Sequence, residues 1–225
     1  MCGRFSLYTP PETIQTTLAV DRWDAPYLAR YNIAPQQDII AVIQEETRTA
    51  KPMSWGLKRN WMSDKDQGFI NARCETLQKK KTFHKPYEEG RCLIPADGFY
   101  EWMKPRQEKQ PYYFHLPDKS VFAFAGLYNR YKGKDTAAII TTRPNREVAK
   151  VHDRMPVILE KEDISRWLDE GSDVKALDEL LIPFQGELIC RPVSKKVNNA
   201  ANEGPHLLDE AKVETQQKIG DYQNM

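Results

Sequence analysis

Cysteine is scarce in this sequence, and no two cysteines form a C-x-x-C pair. The four cysteines are Cys2, Cys74, Cys92 and Cys190. Such wide spacing argues against a disulfide framework and against a structural zinc site. The four histidines, which also lack metal-ligand spacing, are His84, His115, His152 and His206. We therefore expect no metal and no cofactor.

Long apolar runs and an excess of one charge are also missing. No stretch approaches the length needed to span a membrane, and the N-terminus shows no basic segment followed by an apolar run. We expect a cytoplasmic protein, nucleoid-associated in a bacterium or phage and nuclear in a eukaryote. Because the net charge is only +1, any nucleic-acid surface must be a local cluster of basic residues.

The length and composition indicate one large domain. The chain has 225 residues, of which 40% are hydrophobic and 29% are charged. Thr9 and the prolines after it predict a helix start capped by Thr9. Apolar and β-branched runs predict strands. They lie at residues 39–43, 91–94, 98–102, 137–142 and 156–159, with a hairpin joining 111–116 to 121–127. Two later helices are predicted around Trp167 and Leu177. We predict an α+β fold: a single domain with a mixed, barrel-like β core flanked by helices.

The opening Met1-Cys2-Gly3-Arg4-Phe5 places a cysteine directly after the first methionine. If Met1 is trimmed, Cys2 carries a free amine and a thiol, both partly nucleophilic at neutral pH. The amine can condense with an aldehyde to an imine, and the thiol can then close a five-membered thiazolidine. Alternatively, the thiol attacks an amide carbonyl, as in N-terminal-nucleophile hydrolases. A third interpretation is that Cys2 is an incidental small residue without a chemical role.

Three further polar clusters each allow a functional and a structural interpretation. Asn71 and Arg73 project to one side if the chain is extended, or Asn71 caps a helix. Glu101 either points inward from an aromatic strand, with a raised pKa suited to a general acid, or points outward. His152, beside Arg154, either titrates in a site or forms an ion pair in a surface turn.

Basic and aromatic residues interleave at residues 55–62, a pattern used by grooves that bind single-stranded nucleic acid. The alternative is that Trp55 is a core residue and Lys58 and Arg59 form a solvated turn.

Six segments occur in one order along the chain and belong together. They are MCGRF at 1–5, YNIAP at 31–35, WG at 55–56, NARCE at 71–75, RCLIPADGFYEW at 91–102 and HDRMP at 152–156. This series resembles the SRAP (SOS response-associated peptidase) family, whose members process abasic sites in DNA. The resemblance covers roughly residues 1–208, with 209–225 left as a polar, loosely ordered tail.

The resemblance implies a sensor of abasic sites in single-stranded DNA that acts during the DNA damage response. Cys2, freed by Met1 removal, captures the sugar aldehyde as a thiazolidine DNA–protein crosslink that shields the lesion. Asn71 holds Cys2 and the sugar, Glu101 is the general acid, and His152 assists proton transfer, including reversal. Self-removal of Met1 and a lyase side activity are further implications.

The resemblance also implies a set of DNA-binding residues. Arg4, Arg73 and Arg154 grip phosphates around the lesion. Pro35, Trp61 and Met62 wedge or stack against the flanking bases. By the same resemblance, the partner of this protein is single-stranded DNA that contains abasic sites. We expect no membrane association and no obligate protein partner, and we expect a monomer.

Two alternatives remain open. Class II glutamine amidotransferase domains also begin Met-Cys-Gly, so an N-terminal-nucleophile amidohydrolase is one. A non-catalytic binder of single-stranded DNA is the other.

The chain departs from the family pattern at Leu57-Lys58-Arg59 and at Cys74. The thiol of Cys74 either reacts with Cys2 or is simply buried.

Overall fold

The structure, a computed structural model, describes residues 2–103 and 110–212 of the chain. Its strands in chain order are β1 Phe5–Leu7, β2 Arg22–Trp23, β3 Arg30–Ile33, β4 Asp38–Gln44, β5 Arg48–Trp55, β6 Asn71–Arg73, β7 Arg91–Ala96, β8 Gly98–Trp102, β9 Pro111–His115, β10 Phe122–Tyr131, β11 Lys134–Thr142, β12 Met155–Pro156, β13 Ile158–Leu159 and β14 Ile189–Pro192. Its α-helices are α1 Pro11–Leu18, α2 Lys81–Glu89, α3 Ile164–Leu168 and α4 Val174–Asp178. Short 3₁₀ turns lie at Cys74–Thr76, Val148–Lys150, Lys161–Asp163, Lys195–Asn198 and Pro205–Leu208.

Five strands close a barrel in the order β11, β10, β7, β4, β5 and back to β11. The closing pair, β5 with β11, is parallel and matches Ser54 with Thr136 and Trp55 with Ala137. The other four pairs are antiparallel. Every residue of β7 is buried, which explains its continuous apolar run rather than an alternating one. The predicted mixed, barrel-like core is confirmed.

A second sheet, in the order β14, β9, β8, β1, β3, packs on the barrel. Phe5 of β1 meets the barrel residues Trp55 and Phe124, with ring centroids 5.2 and 5.8 Å apart. Phe99 of β8 also reaches Phe124, at 6.1 Å. These edge-to-face contacts give the two sheets a common aromatic core.

The first predicted helix is present, but its cap is not the predicted one. Helix α1 follows Pro10 and has no side-chain cap. The backbone N–H of Thr9 donates instead to Asp97 Oδ2 at 3.0 Å, and the Thr9 hydroxyl bonds the same carboxylate. The buried Asp97 needs those donors, so Thr9 faces it rather than the helix.

The predicted hairpin between residues 111–116 and 121–127 is wrong. Strand β9 pairs with β8 and β14 in the second sheet, whereas β10 pairs with β7 and β11 in the barrel. Because β10 already has a partner on each side, it offers no edge to β9. The local turn exists, with Lys119 N donating to Leu116 O at 3.0 Å, but it carries the chain from one sheet to the other.

The remaining element predictions largely agree with the structure. Strands lie at residues 39–43, 91–94, 98–102 and 137–142 as predicted, and 156–159 divides into β12 and β13. Between the strands predicted at 91–94 and 98–102, only Asp97 lies outside a strand, since Pro95 and Ala96 belong to β7. Both late helices form, although α4 ends before the buried Leu180 and Leu181. From residue 213 onward, the predicted tail lies outside the described residues.

No helix in the part of the chain that the structure describes is long and apolar enough to cross a membrane.

The buried Arg91 joins two helices to the barrel. Its Nε donates to Trp167 O at 2.7 Å, and its Nη1 donates to Tyr87 O and Glu88 O, both at 2.7 Å. Its Nη2 donates to Asp169 O at 2.6 Å. These carbonyls lie at the C-terminal ends of α2 and α3, where a cation is favourable.

Replacing Arg91 by methionine should lower the free energy of unfolding by about 3 kcal/mol, because four backbone carbonyls, two of them in buried hydrogen bonds, would lose a charged donor. Urea denaturation with an unchanged m-value measures this change. Arg22→Met is the matched control, since Arg22 is exposed and pairs with the exposed Asp24, and it should cost less than about 1 kcal/mol. Equal losses in the two variants would contradict the assigned role of Arg91.

Candidate active site

The N-terminal strand carries Cys2 to the end of β8. Strand β1 lies between β3 and β8 and matches Phe5 with Phe99 and Ser6 with Gly98. Tyr100 N donates to Arg4 O at 3.0 Å, which extends the pairing towards the chain start. The same register places Gly3 opposite Glu101. Backbone pairing therefore brings together two segments that are far apart in sequence.

Asn71 fixes the backbone of Cys2. Its Nδ2 donates to Cys2 O at 2.8 Å, and strand β6 holds it by pairing parallel to β11, with Asn71 opposite Ile139. Asn71 and Arg73 are thus extended, as the functional interpretation predicted, and Asn71 caps no helix. Its Oδ1 is buried and accepts no hydrogen bond from the described residues.

Glu101 points inward, and only 2% of it is exposed. Burial raises its pKa to about 7, and the negative charge of Asp153 acts in the same direction. The outward-facing interpretation is therefore wrong. Cys2 is fully buried, and burial, together with the charge of Glu101, raises the pKa of its thiol well above the ordinary value. At neutral pH the site can thus hold a neutral thiol beside a carboxyl group that still carries its proton in part.

His152 closes the cluster from the turn after the Val148–Lys150 3₁₀ segment. Its Nε2 lies 3.9 Å from Glu101 Oε2. Its Nδ1 lies 3.1 Å from the backbone N of Arg154 and 3.2 Å from Asp153 Oδ1. The backbone O of Arg154 also lies 3.3 Å from Nδ1, so this ring nitrogen faces one donor and two acceptors. His152 thus lies in a turn beside an acidic residue, as the structural interpretation predicted, but it also faces Glu101, which that interpretation did not include.

The three arginines predicted to bind phosphates differ in their surroundings. Arg4 Nη1 donates to Asn32 Oδ1 at 2.7 Å and to Val197 O at 2.8 Å. Arg154 is paired with Glu75 at 2.6 Å. Arg73 is exposed and makes no side-chain hydrogen bond or ion pair within residues 2–103 and 110–212. Two of the three guanidinium groups are therefore already engaged inside the protein.

Trp61 lies on a loop whose two ends cross in close contact. Leu57 and Phe69 form an antiparallel bridge, and a Cβ on Gly68, whose φ is +74°, would lie 2.4 Å from Gly56 O. Only glycine permits so close a crossing. Trp61 is 68% exposed at the loop surface, which leaves its ring available for stacking.

The same loop is anchored at the start of β11 rather than beside Cys2. Tyr131 donates its hydroxyl to Met62 O at 2.9 Å, and Tyr131 pairs with Lys134. Asn71 lies opposite Ile139, so the anchor is about 17 Å away along the strand. Pro35, half-buried after β3, completes the set of predicted base contacts.

Trp55 is a core residue, as the structural interpretation held, and its Nε1 donates to Ile70 O at 2.9 Å. The cations after it are not simply solvated. Arg59 Nη1 donates to Asn129 Oδ1 at 2.8 Å and Lys58 Nζ to Asp64 O at 3.0 Å.

One residue that the sequence reasoning did not single out, Asn32, ties the C-terminal part of the chain to the site. It is fully buried, accepts from Arg4, and donates to the carbonyls of Asn199 and Asn202 at 3.0 and 2.8 Å. Trp102, next to Glu101, donates to Asn198 Oδ1 at 2.6 Å. A polar residue between apolar neighbours in β3 was the available signal.

The described ranges contain no group of three or more His, Cys, Asp or Glu side chains arranged to hold a metal ion. The titratable groups that the structure brings together here are the thiol of Cys2, the carboxyl group of Glu101 and the imidazole of His152.

Comparison with known proteins identifies the fold and the family. A family model described as SOS response associated peptidase (SRAP) matches residues 1–200. The abasic site processing protein YoqW of Bacillus subtilis (strain 168) is 38% identical over 223 residues, covering 93% of this chain and 99% of that protein. The abasic site processing protein YedK of Escherichia coli (strain K12) is 29% identical over 222 residues, covering 92% of this chain and 99% of that protein.

A crystal structure of a Bacteroides thetaiotaomicron protein shares the fold, with a TM-score of 0.81 at 24% identity, covering 94% of this chain and all of that one. Because the family model spans most of the chain and YoqW matches nearly its whole length, the protein belongs to the SOS response associated peptidase (SRAP) family.

Proposed function

We propose that this protein captures abasic sites in single-stranded DNA as a covalent thiazolidine through Cys2, after Met1 has been removed. The observation that carries the proposal is the cluster itself. Asn71 holds the Cys2 backbone, and the buried Glu101 and His152 stand beside it. Relatives over nearly the whole chain are named abasic site processing proteins. We place the activity in residues 1–208 and expect it in a monomer without a cofactor.

The reaction balances with one water released. The ring-opened abasic sugar offers an aldehyde, whose carbon accepts the Cys2 amine to give a carbinolamine. That adduct loses water as it receives a proton, and an imine forms. The thiol sulfur then adds to the imine carbon while the thiol proton passes to the nitrogen. The product carries one new C–N bond and one new C–S bond.

Glu101 suits the proton transfers in this sequence. With its pKa raised to about 7, it can protonate the departing hydroxyl group and then, as a carboxylate, receive the proton of the thiol. That thiol, whose pKa is raised by burial, does not ionise unaided at neutral pH, so a nearby base is needed. His152 Nε2, facing Glu101, can return protons for the reverse reaction.

Contacts to DNA would come from the exposed parts of the predicted set. Arg73 is exposed two residues after Asn71 on the same strand, which suits a phosphate next to the lesion. Trp61 offers an exposed ring for a flanking base. The same cluster could also hydrolyse the Met1–Cys2 amide bond, and an imine at Cys2 permits β-elimination of the sugar phosphate. We include both activities in the proposal as secondary ones.

Cys2→Ala should abolish the SDS-stable adduct with an abasic single-stranded oligonucleotide, because an amine alone gives only a reversible imine. Denaturing gels and intact-mass analysis measure the adduct, expected at the mass of protein lacking Met1 plus oligonucleotide minus one water. Cys190→Ala, which removes a half-buried thiol outside the cluster, is the matched control and should crosslink normally.

An intact oligonucleotide should give no adduct with any variant. Equal crosslinking by Cys2→Ala would disprove the mechanism. Salt-sensitive binding that ignores both the lesion and Cys2 would favour the non-catalytic binder, and labelling of Cys2 by a glutamine-mimicking electrophile would favour the amidohydrolase.

The rate of crosslinking should depend on pH as a bell, with its maximum between about pH 7 and 8. Below this range the amine is protonated, and above it Glu101, whose pKa is about 7, loses the proton that it must donate. Glu101→Gln should lower the rate roughly 100-fold and remove the alkaline decline. Single-turnover rates at a series of pH values measure both effects.

Glu160→Gln is the control for this experiment. Burial also raises the pKa of Glu160, but it follows β13, outside the cluster. An alkaline decline that persists in Glu101→Gln, or disappears in Glu160→Gln, would remove Glu101 from the acid role.

A further inference from the structure

Two cations in the segment Leu57-Lys58-Arg59, where the sequence departs from the family pattern, have no part in the proposed function. They lie at the start of the loop that carries Trp61. Met62 N donates to Arg59 O at 2.8 Å, so Arg59 and Trp61 belong to one tight turn. An exposed aromatic ring and a cation are therefore held close together on this loop.

Lys58 stabilises the loop itself. Its backbone N donates to Thr136 Oγ1 at 3.0 Å, and its Nζ donates to Asp64 O at 3.0 Å. The same Nζ lies 5.4 Å from the ring centroid of Tyr131, which is a cation–π contact. The Lys58 ammonium is therefore used inside the loop, and Arg59 is the cation whose role remains to be explained.

The guanidinium of Arg59 is held from one side. Its Nη1 donates to Asn129 Oδ1 at 2.8 Å. Asn129 Nδ2 donates to Lys58 O at 2.6 Å and to Arg130 O at 3.2 Å, which fixes the amide with its oxygen towards Arg59. Among the residues that the structure describes, Nε is enclosed without an acceptor, and Nη2 is neither enclosed nor hydrogen-bonded. One edge of the guanidinium thus carries two donors without an acceptor, and its Nη2 corner is open.

The positive charge of Arg59 also lacks a counter-charge within the described ranges, because its one side-chain partner is a neutral amide. Two acidic residues of the same region pair with other cations. They are Asp64, 2.9 Å from Lys132, and Asp135, 3.9 Å from Arg130. A fixed cation with an open donor is suited to an anionic oxygen from outside the protein.

The neighbouring ring indicates which anion this is. Trp61 is 68% exposed. Grooves that bind single-stranded nucleic acid combine aromatic rings, on which bases stack, with cations that follow the backbone. A strand with one base on Trp61 would bring its own phosphates to the turn that holds Arg59.

We propose that Arg59 binds a backbone phosphate of single-stranded DNA through Nη2, next to the base that stacks on Trp61, with Asn129 as its positioning residue. The inference rests on the proposed function and extends its DNA surface. The loop anchor at Tyr131 lies about 17 Å along β11 from the position opposite Asn71. The phosphate therefore belongs to one flank of the lesion rather than to the abasic sugar.

Equilibrium binding to a single-stranded oligonucleotide with a tetrahydrofuran abasic analogue tests the contact, because the analogue has no aldehyde and forms no crosslink. Arg59→Met should reduce the slope of log K against log salt by about 0.7, the value for one phosphate of a single strand. This change corresponds to about fivefold weaker binding at 0.1 M salt and to no difference near 1 M salt. Fluorescence anisotropy at a series of salt concentrations measures both effects.

Arg130→Met is the matched control. Arg130 follows Asn129 on β10, but the alternation of the strand directs it to the other face. There 71% of its side chain is exposed, and Asp135 lies 3.9 Å away. Its replacement should leave the salt slope and the Kd unchanged. An equal reduction in Arg130→Met would mean that general surface charge is measured, and it would overturn the assignment of a site at Arg59.

Asn129→Asp tests the role of the neutral amide. It keeps the size of the side chain but places a carboxylate against the guanidinium, so it should reduce the salt slope nearly as much as Arg59→Met. In the double variant the two reductions should not add, because both remove the same charge. A wild-type slope in folded Asn129→Asp, with folding checked by thermal melts, would refute the positioning role.

Shortening the oligonucleotide in the wild type locates the phosphate without any substitution. Removal of nucleotides up to the abasic analogue should reduce the salt slope and abolish the effect of Arg59→Met on one side of the lesion only. An Arg59 effect that survives shortening from both sides would contradict a contact beside Trp61.

The outcomes distinguish this inference from the proposed function. If the wild type forms no Cys2-dependent adduct with abasic single-stranded DNA, the proposed function fails, and the salt slopes on the analogue still decide the role of Arg59. If the wild type forms the adduct but Arg59→Met keeps the wild-type slope, the inference is wrong and the proposed function stands.

Discussion

The pairing of β1 between β3 and β8 is the constraint on which the rest of the site depends. Phe5 fastens this strand by matching Phe99 across the sheet and packing on Trp55 and Phe124 of the barrel. Three residues before Phe5, Cys2 has little freedom left, because Arg4 O and Cys2 O are both hydrogen-bonded. A residue near a chain end is normally mobile. Here the sheet replaces that mobility with a fixed register against Glu101.

Burial then sets the chemistry of this fixed arrangement. A carboxyl group withdrawn from water binds its proton more tightly, so the pKa of Glu101 rises to about 7. The same burial keeps the Cys2 thiol in its neutral form. The fold thus raises the pKa of both groups by holding them in one buried cluster. In the proposed reaction, Glu101 would then be able to donate a proton, and the thiol would need a nearby base.

Much of this could be predicted from residue patterns, and the failures have physical causes. Four of the five barrel strands followed from their apolar runs, but β5 did not, because its sequence mixes polar residues and a proline with apolar ones. The spacing of Asn71 and Arg73 allowed either an extended segment or a helix cap, and the structure shows the strand. The hairpin between β9 and β10 did not form because pairing depends on which edges remain open, and a local turn carries no information on that. Whether Glu101 faced inward was equally undecidable, since β8 is buried on both faces and its alternation gives no direction.

The arginines show the same limit at the level of single side chains. A sequence shows that a cation is present but not whether a carboxylate from a distant segment has already engaged it. Arg4 donates to Asn32 and to the carbonyl of Val197, and Arg91 donates to carbonyls at the ends of two helices. Arg154 pairs with Glu75. Because the net charge is only +1, the protein has no bulk positive field that would steer it towards DNA. Attraction to DNA, as we propose it, would therefore depend on locally placed exposed cations such as Arg73 rather than on the inward-facing arginines.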